Sequence, residues 1–369
     1  MRVTGLVLGG FCAVLFAMLA VSGFLNGRWV VGALLLVAAL LCTPLGARPF
    51  RGVGQPLAMV LRLFATVFLA LTAATPLIFP DPRTSIYDSP EVRARFQDIY
   101  DRKLDQWPVE PDTRFLETER GRVHVLSAGP EDAPPLLLLH AAGVASWSWG
   151  PNIAALSEAY RVHAVDLIGD AGRSELADIS KRLGGGEDQA DHYAEVMDLL
   201  GIGAAPVVGA SEGGFIATNL ALHHPARVER MVLLGPMGYA GAVGPVLRIF
   251  VTQLFPLPPL RRATFRRVFS DDPELVAEYE DWFRLVMTGL SPAKVPPLPF
   301  SAEERQSIEI PVLYVFGTRD RLVGDAEAAR AQVADVPEAR VEIVEAGHLM
   351  AAEAPERINA LILDFLSAD

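Results

Sequence analysis

The feature that most constrains the fold is an alternation of continuous apolar runs with helix-like stretches after residue 110. The runs Pro134–His140, Pro206–Ala210 and Pro311–Gly317 are apolar at nearly every position. Between such runs lie stretches such as Pro355–Leu366, in which apolar residues recur at helical spacing. Strands that are apolar on both faces are typical of a parallel sheet covered by helices on each side. The sequence therefore predicts an α/β fold.

The other predicted elements continue this alternation. Phe115–Glu119 and Val123–Ser127 form a predicted hairpin around Gly121. Further strands are predicted at Tyr160–Leu167, Arg230–Gly235 and Arg340–Glu345, and further helices at Asp188–Leu200 and Phe215–His223. The alternation of strands and helices is interrupted once, where about 70 residues separate the predicted strands Arg230–Gly235 and Pro311–Gly317. This insertion, about residues 237–306, has predicted helices at Val243–Leu254 and Pro273–Met287 around a Pro-rich turn and an Arg-rich stretch. It would cover the carboxyl ends of the strands as a lid.

A candidate nucleophile lies where one of these strands meets a helix. Gly209-Ala210-Ser211-Glu212-Gly213 matches the pattern G-x-S-x-G between an apolar strand and the helix at Phe215–His223. A serine hydroxyl is a weak nucleophile that has to be presented on a tight turn, and glycine on either side avoids backbone clashes there. This context predicts that Ser211 is a catalytic nucleophile.

A base and an orienting acid follow in the order expected of a Ser…Asp…His triad. Asp320 comes directly after the strand Pro311–Gly317, and His348 lies between the last strand and the last helix. Asp325 is the alternative acid. The other histidines are predicted to be structural or exposed, since five of them lie inside predicted strands or helices: His124, His163, His192, His223 and His224. His140 ends a strand and is predicted to brace the loop that follows.

The oxyanion hole of such a site would use two backbone N–H groups. The first is that of Glu212, the residue after the nucleophile. The second would come from the loop after Pro134–His140 and is assigned to Ala142 in His140-Ala141-Ala142-Gly143.

The first 80 residues differ in composition from the rest. They contain no Asp or Glu and five Arg, so the remaining chain has 27 basic and 44 acidic residues and a net charge of −17. Uncharged apolar runs at about residues 5–25, 29–47 and 63–79, the last with Arg62 at its edge, predict a membrane anchor in residues 1–80. Its three transmembrane helices are placed at about residues 5–25, 29–47 and 57–79. Residues 81–110 are interpreted as a linker and lead-in helix, and residues 111–369 as the folded domain. A cleaved signal peptide and a two-span anchor are the alternatives.

The arginines of the short loops suggest an orientation. With the N-terminus inside, Arg2, Arg48, Arg51 and Arg62 are cytoplasmic, and Arg28 and Arg83 are outside. The sequence therefore predicts an integral membrane protein of a bacterial cell membrane, bound to the lipid bilayer through residues 1–80, with its folded domain on the outer face. The acidic balance of that domain argues against a nucleic-acid partner, because phosphate contacts require clustered Lys and Arg.

From about Trp107 to Leu366 the chain resembles the α/β-hydrolase superfamily, particularly its bacterial carboxylesterase-like members. The matching blocks are LLLLHAAGVASWSWGPNIAAL, YRVHAVDLIGDAGRSE, VVGASEGG, PVLYVFGTRDRLV and VEAGHLMAAEAPERI. The resemblance implies ester hydrolysis through an acyl-enzyme, with no metal and no organic cofactor. Two blocks depart from the usual pattern: His140-Ala141 stands where the family has His-Gly, and Gly169-Asp170-Ala171-Gly172 where it has Gly-His-Gly.

The predicted function is the hydrolysis of a small-molecule carboxylic ester by Ser211, His348 and Asp320. Five lid phenylalanines suggest either an apolar acyl or alkyl group in the substrate or simple packing of the lid: Phe250, Phe255, Phe265, Phe269 and Phe283. Two alternatives remain open at this point. The same residues could hydrolyse an amide, a lactone or a carbon–carbon bond, or the chain could be an inactive, membrane-tethered binding protein.

Overall fold

The computed structural model describes residues 85–239, 241, 243–291, 293 and 298–368. Within them a nine-stranded sheet runs in the order β1-β2-β4-β3-β6-β7-β8-β9, with β5 paired to β2 off this path. The strands are β1 (Asp112–Thr118), β2 (Gly121–Ala128), β3 (Pro135–Leu139), β4 (Arg161–Val165), β5 (Glu175–Leu176), β6 (Ala205–Ala210), β7 (Val228–Leu234), β8 (Val312–Gly317) and β9 (Ala339–Val344). The strands from β4 to β9 along this path pair in parallel, whereas β2 pairs antiparallel with β1, β4 and β5. The predicted α/β fold with a mostly parallel sheet is therefore confirmed.

Helices connect these strands and lie on both faces of the sheet. They are α1 (Pro90–Leu104), α2 (Gly150–Ser157), α3 (Gly186–Leu200), α4 (Glu212–His223), α5 (Val243–Leu254), α6 (Pro258–Val268), α7 (Pro273–Gly289), α8 (Ala302–Gln306), α9 (Ala326–Gln332), α10 (Met350–Glu353) and α11 (Pro355–Ser367). Short 3₁₀ turns occur at Ser146–Trp149, Ile179–Lys181 and Pro225–Arg227.

Strand β3 shows why the apolar runs form a covered sheet. Its side chains at Leu136 and Leu138 enter one core cluster, and those at Leu137 and Leu139 enter the cluster on the other face. All four are fully buried. Because side chains alternate across a strand, a run of leucines can be buried throughout only when both faces of the sheet are covered.

The lid lies between β7 and β8 and is built from α5 to α8. The sequence missed α6, whose region reads as a Pro-rich turn followed by an Arg-rich stretch. Proline is compatible with the first turn of a helix, where its missing N–H has no helical partner. Thr264, Phe265 and Val268 form a buried face of α6, whereas the arginines of this helix are exposed or half-buried. Tertiary packing therefore forms a helix where the local pattern did not predict one.

The lead-in helix α1 packs against lid helix α7. Phe96 and Trp282 meet edge to face with ring centroids 4.8 Å apart, and Lys103 Nζ lies 2.7 Å from Glu278 Oε1. Ser89 caps α1 by accepting a hydrogen bond from the Val92 N–H. The segment before β1 is thus part of the same packed unit as the lid.

The predicted transmembrane helices, at about residues 5–25, 29–47 and 57–79, lie outside the described residues. Among the residues that are described, no helix combines the length and the apolar character that a membrane span requires.

Candidate active site

Ser211 lies on a strained turn between β6 and α4. Its φ of 50° and ψ of −108° give it the only positive φ among the described non-glycine residues. A Cβ on Gly209 would lie 2.4 Å from Gly213 O, and one on Gly213 would lie 2.1 Å from Leu139 O. Both glycines are therefore required by close backbone contacts, as the G-x-S-x-G pattern predicted. Strained residues of this kind are concentrated at functional sites.

His348 and Asp320 are brought together as a buried pair. His348 Nδ1 lies 2.7 Å from Asp320 Oδ2, although 28 residues separate them in the chain. The other carboxylate oxygen, Oδ1, accepts hydrogen bonds from the N–H groups of Leu322 (2.9 Å) and Val323 (3.1 Å). Asp320 is fully buried. The loop after β8 thus holds this carboxylate in one orientation, with one oxygen directed at the imidazole.

Opposing effects act on the pKa of His348. Burial lowers it, whereas the negative charge of Asp320, the hydrogen bond to Asp320 and the charge of Glu353 raise it. The raising effects prevail, so that the pKa of His348 lies above the ordinary value of 6.5. An imidazole of this kind is a stronger base than a free one, at the cost of being protonated over a wider acidic range.

Backbone contacts on both sides fix the loop that carries His348. The His348 N–H donates to Phe269 O in the lid (2.9 Å), and the Gly347 N–H donates to Glu353 Oε2 (2.8 Å). The Glu353 side chain is 3% exposed and also lies 3.2 Å from the Arg319 guanidinium. Glu353 is a site residue that sequence reasoning missed, because only the folded loop brings it to the Gly347 N–H.

The turn that carries Ser211, here called the elbow, and the His348–Asp320 pair lie at the carboxyl ends of neighbouring parallel strands. Ala210, which precedes the serine, lines one cleft together with Leu234 and His348. A Cβ on Gly235 would lie 2.9 Å from Asp320 Oδ2 and 3.5 Å from His348 Nδ1, so the end of β7 lies directly against the pair. The cleft has a volume of about 430 Å³, including the part open to solvent. All three predicted triad residues therefore belong to one edge of the sheet.

His140 braces the predicted oxyanion loop. Its Nε2 lies 2.9 Å from the Leu167 N–H and must accept that hydrogen bond. Its Nδ1 therefore carries the proton and donates to Ala141 O at 2.8 Å. Both ring nitrogens of this fully buried residue are occupied, which leaves no nitrogen to exchange protons with a substrate.

Asp170 and Trp282 hold the next residue of that loop. The Gly143 N–H donates to Asp170 Oδ2 (2.8 Å), and Trp282 Nε1 in α7 donates to Gly143 O (2.7 Å). Ala142 precedes Gly143, and its N–H makes no hydrogen bond to any other described residue. Asp170 stands where the resembling family has Gly-His-Gly, so this departure has a local role: it anchors the loop. The sequence showed the departure but not its partner.

The alternative acid, Asp325, is excluded as the partner of His348. It is exposed, and its carboxylate caps α9 by accepting from the Ala328 N–H at 2.8 Å. A carboxylate just before a helix satisfies a backbone donor that has no helical partner. That local role accounts for Asp325.

Most other histidines are held in place by neighbours away from the cleft. His124 Nδ1 lies 2.9 Å from Asp166 Oδ2, and His163 Nδ1 lies 2.9 Å from the hydroxyl of Ser127. Burial lowers the pKa of His163, and likewise that of His192, to about 4. Within the described residues no cluster of three or more His, Cys, Asp or Glu is arranged to hold a metal ion.

The lid aromatics mostly pack on one another. Phe265, Phe269 and Phe283 have mutual ring-centroid distances of 5.3 to 5.7 Å. Phe269 also lies 6.3 Å from the ring of His348, whereas Phe255 is 60% exposed. The side chain of Phe250 lies outside the described part of the structure. Packing of the lid therefore accounts for three of these rings, and among the phenylalanines whose side chains are described only Phe269 contacts the ring of the predicted base.

Comparison with known proteins gives a consistent assignment. The alpha/beta hydrolase family matches residues 136–361. Carboxylesterase YbfK of Bacillus subtilis is 32% identical over 293 residues, which cover 74% of this chain and 93% of that protein. The uncharacterized carboxylesterase nap of the same organism is 30% identical over 285 residues, with the same coverage of both chains.

Solved structures agree with this assignment. The crystal structure of the B. subtilis carboxylesterase CesB (YbfK) has a TM-score of 0.69 at 30% identity and covers 75% of this chain and 99% of that chain. The naproxen esterase of B. subtilis has a TM-score of 0.68 at 28% identity, with coverage of 76% and 99%. The strand order, the elbow and these similarities lead to one conclusion: the chain belongs to the alpha/beta hydrolase family and is a carboxylesterase-like hydrolase.

Proposed function

We propose that this protein hydrolyses carboxylic esters with Ser211 as nucleophile, His348 as general base and Asp320 as the orienting acid. The observation that carries the proposal is the buried hydrogen bond from His348 Nδ1 to Asp320 Oδ2, 2.7 Å long, beside the strained elbow serine. Because Nδ1 is bonded to the carboxylate, Nε2 is the nitrogen that remains to accept the serine proton.

The reaction proceeds in two halves. His348 Nε2 takes the proton of Ser211 Oγ as this oxygen attacks the acyl carbonyl, and the imidazolium that forms is stabilised by the Asp320 carboxylate. The backbone N–H groups of Glu212 and Ala142 hold the oxyanion. His348 then gives its proton to the leaving alcohol. In the second half water, deprotonated by the same imidazole, attacks the acyl-enzyme and releases the carboxylic acid.

Ester substrates are favoured over other acyl compounds by the relatives. The two carboxylesterases named above are 32% and 30% identical to this chain and match 74% of it. A second candidate, carbon–carbon bond hydrolysis, is favoured by similarity to 2-hydroxy-6-oxo-6-phenylhexa-2,4-dienoate hydrolase of Burkholderia cepacia, 29% identical over 67% of this chain. Turnover of p-nitrophenyl esters, p-nitroanilides and a vinylogous 1,5-diketone by one preparation distinguishes ester, amide and carbon–carbon chemistry.

The proposal is tested by labelling the full-length chain with a fluorophosphonate probe, which reacts with activated serines. We expect the wild type to be labelled and Ser211→Ala not to be. Ser148→Ala is the matched control, because Ser148 lines the same cleft but donates its hydroxyl proton to Ala145 O at 2.7 Å. Labelling of Ser148→Ala should equal that of the wild type.

Two results would contradict the proposal. Labelling that persists in Ser211→Ala would assign the nucleophile elsewhere. A folded wild type that is neither labelled nor active on any ester would favour the alternative of an inactive binding protein on this fold.

Residues 1–80 support a separate proposal that rests on their sequence alone. Their uncharged runs and the arginine bias of the short loops indicate a membrane anchor with the hydrolase domain on the outer face. We expect the full-length protein to stay in the membrane pellet after alkaline carbonate extraction. Protease added to intact spheroplasts should degrade the domain. Extraction into the supernatant would contradict the anchor, and protection from protease would contradict the orientation.

A further inference from the structure

A second cleft lies beside the proposed active site, between α1, the 3₁₀ turn at Ser146–Trp149 and lid helix α7. It has a volume of about 600 Å³, including the part open to solvent. Its walls include the rings of Trp107, Trp147 and Tyr279 and the charged side chains of Lys103 and Glu278. The proposed reaction uses none of these residues, so the cleft has no role in the chemistry described above.

The two clefts share a wall. Ser148, Tyr279 and Ala352 line both of them. The side chains of Ser148 and Ala352 are small, and the Ser148 hydroxyl donates a hydrogen bond to Ala145 O. The ring of Tyr279 is thus the only large side chain among the three shared residues. It is 4% exposed and lies 5.2 Å from the Trp147 ring, measured between centroids.

The Tyr279 ring is positioned by packing. No hydrogen bond joins its hydroxyl to another described residue. The ring packs between Trp147 and Phe265, the latter at a centroid distance of 5.9 Å. Shortening this side chain would therefore open a passage without leaving an unpaired polar partner behind.

An ion pair fixes the helix that carries this ring. Lys103 Nζ in α1 lies 2.7 Å from Glu278 Oε1 in α7, and the Lys103 side chain is 11% exposed. The same ammonium lies 5.4 Å from the centroid of Trp147 and 5.7 Å from that of Tyr279. A cation over two aromatic faces adds attraction to the ion pair. Both contacts hold α7 against α1 and keep Tyr279 between the clefts.

We propose that Tyr279 determines the length of the acyl chain that the enzyme accepts in its substrate. The Tyr279 ring separates the active-site cleft from the second cleft. When the ring is removed, the second cleft accepts the distal end of a medium-chain apolar acyl group. This inference rests on the proposed esterase function. It assigns the wild type to esters of short carboxylic acids, since a longer chain lying in the active-site cleft would meet the Tyr279 ring in its wall. Its chemical basis is that each buried methylene adds binding free energy only where a cavity can hold it.

The test is a chain-length series on the full-length protein. kcat/KM is measured for p-nitrophenyl acetate, butyrate, hexanoate and octanoate with the wild type, Tyr279→Ala and Tyr279→Phe. We expect the octanoate-to-butyrate ratio to rise about tenfold or more in Tyr279→Ala. Tyr279→Phe keeps the ring and should keep the wild-type ratio. An unchanged ratio in a Tyr279→Ala protein that still reacts with the fluorophosphonate probe would overturn the proposal.

A binding measurement makes the outcome independent of catalysis. In a Ser211→Ala background, calorimetry gives Kd for octanoic and butyric acids with and without Tyr279→Ala. We expect the preference for octanoic acid to increase about tenfold on removal of the ring. If no ester is hydrolysed but this shift in Kd preference is found, the esterase proposal fails, whereas the proposal that Tyr279 separates the two clefts stands. If esters are hydrolysed and the Kd preference does not shift, the proposal that Tyr279 separates the two clefts fails. Should Tyr279→Ala not fold, Tyr279→Leu is subjected to the same measurements.

Discussion

Among the residues that the structure describes, two buried histidine–aspartate pairs occur, and they differ in what surrounds them. His348 and Asp320 lie 2.7 Å apart, Nδ1 to Oδ2, and His124 and Asp166 lie 2.9 Å apart between the same atom types. Both carboxylates are fully buried. By pairwise geometry alone the two are nearly equivalent.

Their surroundings separate them. The free nitrogen of His124, Nε2, is buried without a hydrogen-bond partner in the described structure, and its ring lies between Tyr100 and Phe115 at 5.6 and 5.0 Å. His348 instead lines a cleft beside the elbow. A buried His–Asp pair is therefore not by itself a sign of catalysis. The second imidazole nitrogen also has to reach a space where a substrate can bind.

Asp166 has a structural role that explains its pair. Its carboxylate accepts from the Ser146 N–H (2.8 Å) and the Arg173 N–H (2.9 Å) in addition to His124. Burial raises the pKa of this carboxyl group, but the hydrogen bond and charge of His124 and the hydrogen bond from the Ser146 N–H prevail and lower it. Asp166 is thus an ionised carboxylate whose hydrogen bonds hold together the chain segments of His124, Ser146 and Arg173.

The largest expected effect is on activity and would separate the two histidines. We expect His348→Ala to reduce kcat/KM by about 10⁴-fold or more, because a triad without its base retains little catalysis. The matched variant His124→Ala should keep the activity of its folded fraction within about tenfold of the wild type, since it provides no base. Ester turnover normalised to folded protein measures both. An equal loss in the two variants would remove the distinction.

The next effect is on stability and concerns the acid of the structural pair. Asp166→Asn should lower the free energy of unfolding by about 3 kcal/mol, because a buried charge network loses an acceptor. Urea unfolding at neutral pH measures this loss. Since the folded-state pKa of Asp166 is lowered, its contribution is present above the unfolded-state value and is lost as the pH falls through the folded-state value. The difference between wild type and variant should therefore shrink in acid; a constant difference would contradict an ionised Asp166.

A smaller stability effect would test the excluded acid. Asp325→Ala should lower the free energy of unfolding by about 1 kcal/mol through loss of the α9 cap, with unchanged ester turnover. Asp320→Ala, measured in parallel, should lose activity by orders of magnitude. Loss of turnover in Asp325→Ala at full folding would reinstate it as the acid of the triad.

The smallest expected effect is a displacement of the pH profile. His348 acts as a base only when neutral, so kcat/KM should rise with pH through a pKa above 6.5, its ordinary value. Glu353 contributes to raising that pKa, so Glu353→Gln should move the acidic limb to lower pH. The glutamine can still accept from the Gly347 N–H, which preserves the loop. An acidic limb that does not move would show that Glu353 only positions the loop.

Sequence reasoning was most successful where the signal is local. The buried strand β3, the elbow around Ser211 and the last helix α11 follow from residues adjacent in the chain, whose spacing shows which side chains are buried. It was least successful in the lid, where α6 depends on packing against other lid helices. Local patterns describe an element's own faces but not the neighbour that covers them.

By itself the sequence determined the fold class, the family resemblance, the residues Ser211, Asp320 and His348 as candidates, and the composition that separates residues 1–80 from the rest. Only the tertiary structure decided which aspartate pairs with which histidine, that Asp170 holds Gly143, and that Tyr279 stands between two clefts. The reason is physical. His348 and Asp320 are 28 residues apart in the chain, and Asp170 and Gly143 are 27 residues apart. No local periodicity records a contact that forms only when such distant segments pack together.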